Sequence, residues 1–287
     1  MGAQEQSGRA LDLLRRQCHA CAAPVWHQEM GYRTQRSPRP IPSDQKIMRH
    51  LCVAIAFSQG ARSAQISVLI ETPVFSAAFA DFDPVALARR KPEDILKNYW
   101  PRLGHFRFKS KIHQIVQCAC VLNRLIRERG SFAKYLQSFQ IPQRIRAAKH
   151  LDQFWAQFDA LQQDLQRLEM PFFRSTTSLL QLLLDLDFDS VKPDLIIMRL
   201  ARRLGIVERE TGDRALRQCV RFLQEYSIKN SCRATALDLA MLAFGGQTGA
   251  SRLLAQKFCP VADPCDNTAC LLLANGLCLS PNKLRRG

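Results

Sequence analysis

Apolar residues along the chain recur at steps of three and four almost from end to end, and seldom at steps of two. Steps of three and four line one face of an α-helix, whereas alternation would build a half-buried strand. Helices are expected at 47–70, 84–88, 92–99, 110–129, 132–139, 151–168, 176–186, 195–204, 213–226 and 234–244. The fold class expected is all-α. Residues 31–43 carry Gly31, Pro38, Pro40 and Pro42 and read as an extended loop. Residues 257–287 are Cys-rich, loop-like and end in a basic tail. The chain thus divides into an N-terminal arm and loop (1–45), a helical region (46–256) and a Cys-rich loop with tail (257–287).

The tract Val191-Lys192-Pro193-Asp194-Leu195-Ile196-Ile197-Met198-Arg199 continues to Gly205 and puts one carboxylate at the mouth of an amphipathic helix. Pro193 disfavours helix at Lys192, Asp194 is a good cap for a helix starting at Leu195, and Gly205 supplies the stop. As a plain cap, Asp194 would contribute about 1 kcal/mol to stability and nothing to chemistry. The alternative is a cap that also does chemistry.

Charge shifts the weight between those readings. The 287 residues carry a net charge of +16, which favours partners dense in negative charge. The excess is uneven. Residues 89–129 hold eleven Lys/Arg against three acids, and 192–233 hold ten against five; 152–189 hold seven acids and two Arg. A face built from the two basic stretches would attract phosphates, and the rival is a generally basic solvated surface. No apolar run approaches the roughly 20 residues that cross a membrane. The first residues lack the order of a secretory signal. The expected location is cytoplasmic, and eleven cysteines there mean reduced thiols or metal ligation rather than a disulfide framework.

Between Leu51 and Phe139 an ordered series of motifs stands out: Ala56-Phe57-Ser58-Gln59-Gly60-Ala61, Ile66-Ser67-Val68-Leu69, Phe75-Ser76-Ala77-Ala78-Phe79-Ala80-Asp81-Phe82-Asp83-Pro84, Pro92-Glu93-Asp94-Ile95, Lys111-Ile112 and Gly130-Ser131-Phe132-Ala133-Lys134-Tyr135-Leu136. This order resembles the bacterial 3-methyladenine DNA glycosylase I family. Downstream, the tract around Asp194 and the run Leu237-Asp238-Leu239-Ala240-Met241-Leu242-Ala243-Phe244-Gly245-Gly246 resemble the wider helix-hairpin-helix glycosylase superfamily. The resemblance covers about residues 45 to 278. It implies a two-lobed helical fold and a DNA glycosylase acting on double-stranded DNA that contains a damaged base, as a monomer. A non-catalytic DNA-structure binder on the same scaffold is the alternative.

The resemblance also implies roles. Asp194 matches the carboxylate that supports an oxocarbenium-like sugar while the C1′–N bond breaks. Pro171-Phe172-Phe173-Arg174-Ser175-Thr176-Thr177-Ser178 takes the place of the hairpin, with Phe172 and Arg174 where the superfamily has glycines. Arg174, Ser175, Thr176 and Thr177 could bind phosphate in their stead, or cap the helix that follows. Thr176 stands at the position of the lyase lysine, which implies a monofunctional enzyme. Gln59 is the candidate to fill the gap left by a flipped nucleotide, against a plain turn residue. Phe57 stands where the methyladenine family has an acid. Lys192, Lys111, Arg199 and Arg202 are the basic residues expected to meet DNA.

Cys259, Cys265, Cys270 and Cys278 follow the 237–246 run with spacing C-x5-C-x4-C-x7-C. Four thiolates can hold a [4Fe–4S] cluster; zinc is the rival, and thiols without metal the third reading. Cys18, Cys21 and His27 form only half a zinc motif, and Cys52, Cys118, Cys120, Cys219 and Cys232 lie in helical patterns as packing residues. Anaerobically purified protein is expected to show the visible absorbance of an iron–sulfur cluster; elemental analysis that finds zinc, or neither metal, overturns this.

Overall fold

The 3-and-4 spacing becomes helix throughout, and among the described residues there is no β-strand. The computed structural model describes residues 3–20, 22–35, 37–245 and 271–278. The fold is all-α. Several helices match their pattern closely, Ser110–Arg129 and Pro84–Ala88 to the residue. No described helix is long and apolar enough to cross a membrane.

Two differences from the pattern matter. The stretch 47–70 is two helices, Asp44–Phe57 and Ser63–Leu69, because Gln59 and Gly60 sit in the left-handed region (φ 53° and 69°) and interrupt the backbone ladder. Residues 3–34, expected as arm and loop, form the helices Ala3–Ala20 and Pro24–Thr34, the second running through Gly31. The buried face of the first is Ser7, Ala10, Leu11, Leu14, Gln17 and Cys18, a helical stripe in which two positions are polar. Ser7 fits there because its Oγ donates to Leu204 O at 2.8 Å.

The chain forms two compact units. One comprises 1–38, 142–152 and 187–287; the other comprises 39–141 and 153–186. In the first, the Ala234–Gly245 helix is apolar on every side and buried nearly throughout, as such helices must be. The helices Ala3–Ala20, Pro24–Thr34, Leu195–Arg203 and Asp213–Lys229 pack around it. In the second, Ser110–Arg129 is the spine, against which Asp44–Phe57, Pro84–Ala88 and Phe132–Ser138 pack. The rings of Phe75, Phe79 and Phe106 fill part of that core at centroid separations of 5.1 to 6.0 Å.

The first unit also buries a network of four charged side chains. Arg233 Nε meets Asp189 Oδ1 at 2.7 Å and its Nη1 meets Asp187 Oδ1 at 3.0 Å, while Arg144 Nη2 meets Asp187 Oδ2 at 2.6 Å. Asp189 has every polar group matched: its N–H donates to Gln143 O, its carbonyl accepts from Gln224, and Oδ2 accepts from the Ile145 N–H. Asp187 adopts φ 69°, which an Asp tolerates better than most residues. Removing one partner of such a buried set leaves charge uncompensated. Arg233→Met is therefore expected to lower unfolding stability by about 3–5 kcal/mol in urea titrations. A loss below 1 kcal/mol would mean that the network holds nothing together.

Candidate functional site

Val191 and Pro193 are buried, and the segment they flank is held from two directions before it reaches Asp194. The Lys192 N–H donates to Asp238 Oδ1 at 2.9 Å, and Asp194 N–H donates back to Lys192 O at 2.8 Å across the proline. Asp194 then caps the Leu195–Arg203 helix with a single oxygen, Oδ1 accepting from Ile196 N at 3.0 Å and Ile197 N at 3.1 Å. Its other oxygen, Oδ2, faces Lys192 Nζ at 3.9 Å. The side chain is 28% exposed, so a carboxylate fixed by its cap still has an oxygen within reach of solvent or a substrate. Cap and chemistry are compatible, because they use different atoms.

Asp238 was visible in the sequence only as a lone acid in an apolar run. It is buried, pairs with Arg33 Nη1 at 3.3 Å, and its carboxyl is raised by desolvation against the opposing pull of Arg33 and the Lys192 N–H. Arg199 and Arg202, expected to meet phosphate, flank Glu210 at 3.6 and 3.3 Å, which offsets part of their charge.

In the second unit the hairpin segment adopts a glycine-type backbone at Phe172 but not at Arg174. Phe172, standing where the superfamily has its first glycine, has φ 63°. A side chain in that region costs roughly 1–2 kcal/mol, so the surrounding fold imposes the conformation rather than the residue. Phe173 beside it is fully buried and meets the Phe172 ring edge-on at 4.9 Å. Ser175 caps the Thr176–Asp185 helix, its Oγ accepting from the Ser178 N–H at 3.4 Å. Thr176 is buried and accepts from Gln162 Nε2 at 3.2 Å, so its hydroxyl serves the fold. Arg174 is exposed and Thr177 half-buried.

Gln59 is exposed on the Ser58–Gly60 turn. Lys111, expected on a DNA-facing surface, is instead fully buried beneath that turn, its Nζ donating to Ser58 O at 2.7 Å and Ala56 O at 3.0 Å. It satisfies carbonyls at the end of the Asp44–Phe57 helix, where a cation is favoured. Desolvation, helped by the Arg107 charge, pulls its pKa down to about 8. A side chain at Gly60 would be strained by its φ of 69°, and its Cβ, 2.7 Å from Arg107 Nη1, would also displace that guanidinium.

Cys259, Cys265 and Cys270 lie outside the described residues, as does Cys21; Cys278 is half-buried just beyond the Leu271–Ala274 helix. Among the described residues no three metal-type ligands gather. Cys18 is buried, its Sγ 3.6 Å from Ala240 O. Cys52, Cys118 and Cys219 are buried as expected, their thiols pushed up by burial, but Cys120 is exposed.

Comparison with known families matches residues 30–181 to the model for methyladenine glycosylases. No curated protein and no solved structure matches the chain. The matched span includes Gln59 and Arg174 to Thr177 and stops short of Asp194.

Asp238 offers a test that separates its hydrogen bond from its charge. Asp238→Asn keeps an acceptor for Lys192, whereas Asp238→Leu leaves a buried N–H unmet and should cost about 1–3 kcal/mol. Because the folded carboxyl is raised, its stabilising contribution is present at acid pH and lost as pH rises through that raised value. The Asn variant should thus improve relative to wild type as pH climbs from 4 toward neutrality in thermal unfolding. A flat or opposite trend would contradict this account.

Proposed function

The chain belongs to the methyladenine glycosylase family of DNA glycosylases, and on that premise we propose that it hydrolyses the N-glycosidic bond of a damaged, foremost an alkylated, base in double-stranded DNA, as a step of base excision repair. The observation that carries this reading is Asp194, a carboxylate with one oxygen committed to its cap and the other open beside Lys192.

The target base must first leave the stack, since its glycosidic bond is shielded inside the duplex. Gln59, exposed on a turn fixed from below by Lys111, would fill the space left behind. As the C1′–N bond breaks, its electron pair leaves with the base and positive charge gathers on the sugar. Asp194 Oδ2 would stabilise that charge, orient the water whose oxygen bonds to C1′ and accept the proton that this water gives up. Thr176 offers no amine for a Schiff base, so the product is an abasic site with both strands intact. Arg174, Thr177 and Lys192 would meet phosphates. The cluster expected on Cys259, Cys265, Cys270 and Cys278 would pin the C-terminal loop and take no part in the chemistry. A side chain at Phe172 in place of glycine favours the second reading, a DNA binder without catalysis.

Base release from methylated duplex, with Asp194→Asn alongside, decides between them. The variant should retain DNA affinity and lose about 10²–10³-fold in release rate, the scale of one removed transition-state contact. Equal release by both proteins removes Asp194 from the mechanism. Tight binding with no release from methylated, uracil, hypoxanthine or oxidised-base duplexes by wild type establishes the second reading instead.

A further inference from the structure

The Ser58–Gly60 turn is bracketed by a segment that the proposed chemistry leaves unused. Residues 99–109 read Tyr-Trp-Pro-Arg-Leu-Gly-His-Phe-Arg-Phe-Lys, and only Leu103 and Phe106 among them are buried. Neither this segment nor 57–70 contains an acid, while together they hold Arg62, Arg102, Arg107 and Lys109, all exposed.

Arg107 has φ 69°, a left-handed kink between Phe106, which is wholly buried, and Phe108, which is 41% exposed. Its guanidinium lies 5.1 Å from the Phe108 ring centroid while Nη1 donates to Gly60 O at 3.2 Å. One side chain thus ties the exposed ring to the turn that carries Gln59. Nearby, Lys109 Nζ lies 5.9 Å from the Trp100 ring. Cations alternating with aromatic faces suit a nucleic-acid strand, whose phosphates meet the cations and whose bases stack on the rings. A fully paired duplex has no free base face to offer. An unpaired base does.

We propose that Arg107, Phe108 and Lys109 form a contact for an unpaired base and its flanking phosphates, with Phe108 as the stacking surface, so that the protein prefers DNA in which a base has lost its partner. This rests on the reading of the chain as a DNA glycosylase, deepens it on the binding side, and is independent of base release.

The test is fluorescence anisotropy in the Asp194→Asn background, comparing a fully paired duplex with the same duplex carrying one bulged nucleotide. Phe108→Ala should weaken binding to the bulged duplex roughly 5- to 150-fold, the effect of losing one base–aromatic stack, and leave the paired duplex nearly unchanged. Phe108→Trp should retain the preference, and because Phe108 is half in water both variants should melt as wild type does. Arg107→Ala should weaken both duplexes and flatten the salt dependence. An equal effect of Phe108→Ala on the two duplexes, or none on either, overturns the proposal while leaving the glycosylase reading intact. Dependence on Phe108 for single-stranded RNA but not for the bulged duplex also overturns it. Absence of base release by the wild-type protein bears on the glycosylase reading and leaves this preference standing.

Discussion

The placement of Asp194 depends on two aspartates and two arginines whose side chains are largely buried. Asp187 and Asp189 precede Asp194 by only a few residues, and Arg144 and Arg233 come from 43 and 44 positions away on either side. Because both guanidinium groups also bind backbone carbonyl, they fix the path of the main chain as well as the charge balance. A segment without helical hydrogen bonds, residues 187–193, is thereby tied to the fold through side-chain partners instead. Asp238 completes the restraint one step closer to the cap. The stabilising value of such a buried set over a hydrophobic one is small; what it supplies is a single allowed geometry.

The second unit uses the same physical device in a different form. Lys111 and Arg107 bind alternate carbonyls around the Gln59 turn, at Ala56, Ser58 and Gly60. Those oxygens lie at and just beyond the end of the Asp44–Phe57 helix, and Ser58 O also accepts from the Ala61 N–H at 3.3 Å. A left-handed Gln59 is tolerated because its neighbours are pinned on both sides. In both units, then, an irregular segment carrying a candidate site residue is held by cations drawn from distant parts of the sequence.

That distance explains what could be read in advance. The Ser110–Arg129 helix was legible to the residue because its stop is local, Gly130 in the left-handed region. Asp194 as a cap was legible for the same reason, since a cap is decided by its next three neighbours. The break in 47–70 was not legible in the apolar spacing, which runs on across the left-handed Gln59 and Gly60 that cause it. Lys111 itself looked like a surface charge by its type, although Ile115, Cys118 and Leu122 on the same helical stripe are apolar and buried. The Ala3–Ala20 helix hid behind Ser7 and Gln17, polar residues on a buried face. Phe172 is the subtlest case. Its identity argued against the glycine conformation that its backbone in fact adopts.

Phe172 has a further consequence for whatever polyanion meets that turn. Glycines in a hairpin let peptide dipoles touch a phosphate directly, and dipoles displace few ions from the nucleic acid. With a ring at that position and Arg174 exposed beside it, a strand docking there would meet a guanidinium, which would exchange places with the counterions condensed on the strand. A grip of that kind would be entropic in origin, drawn from released ions, and tuned by the ionic strength around it rather than built into the backbone.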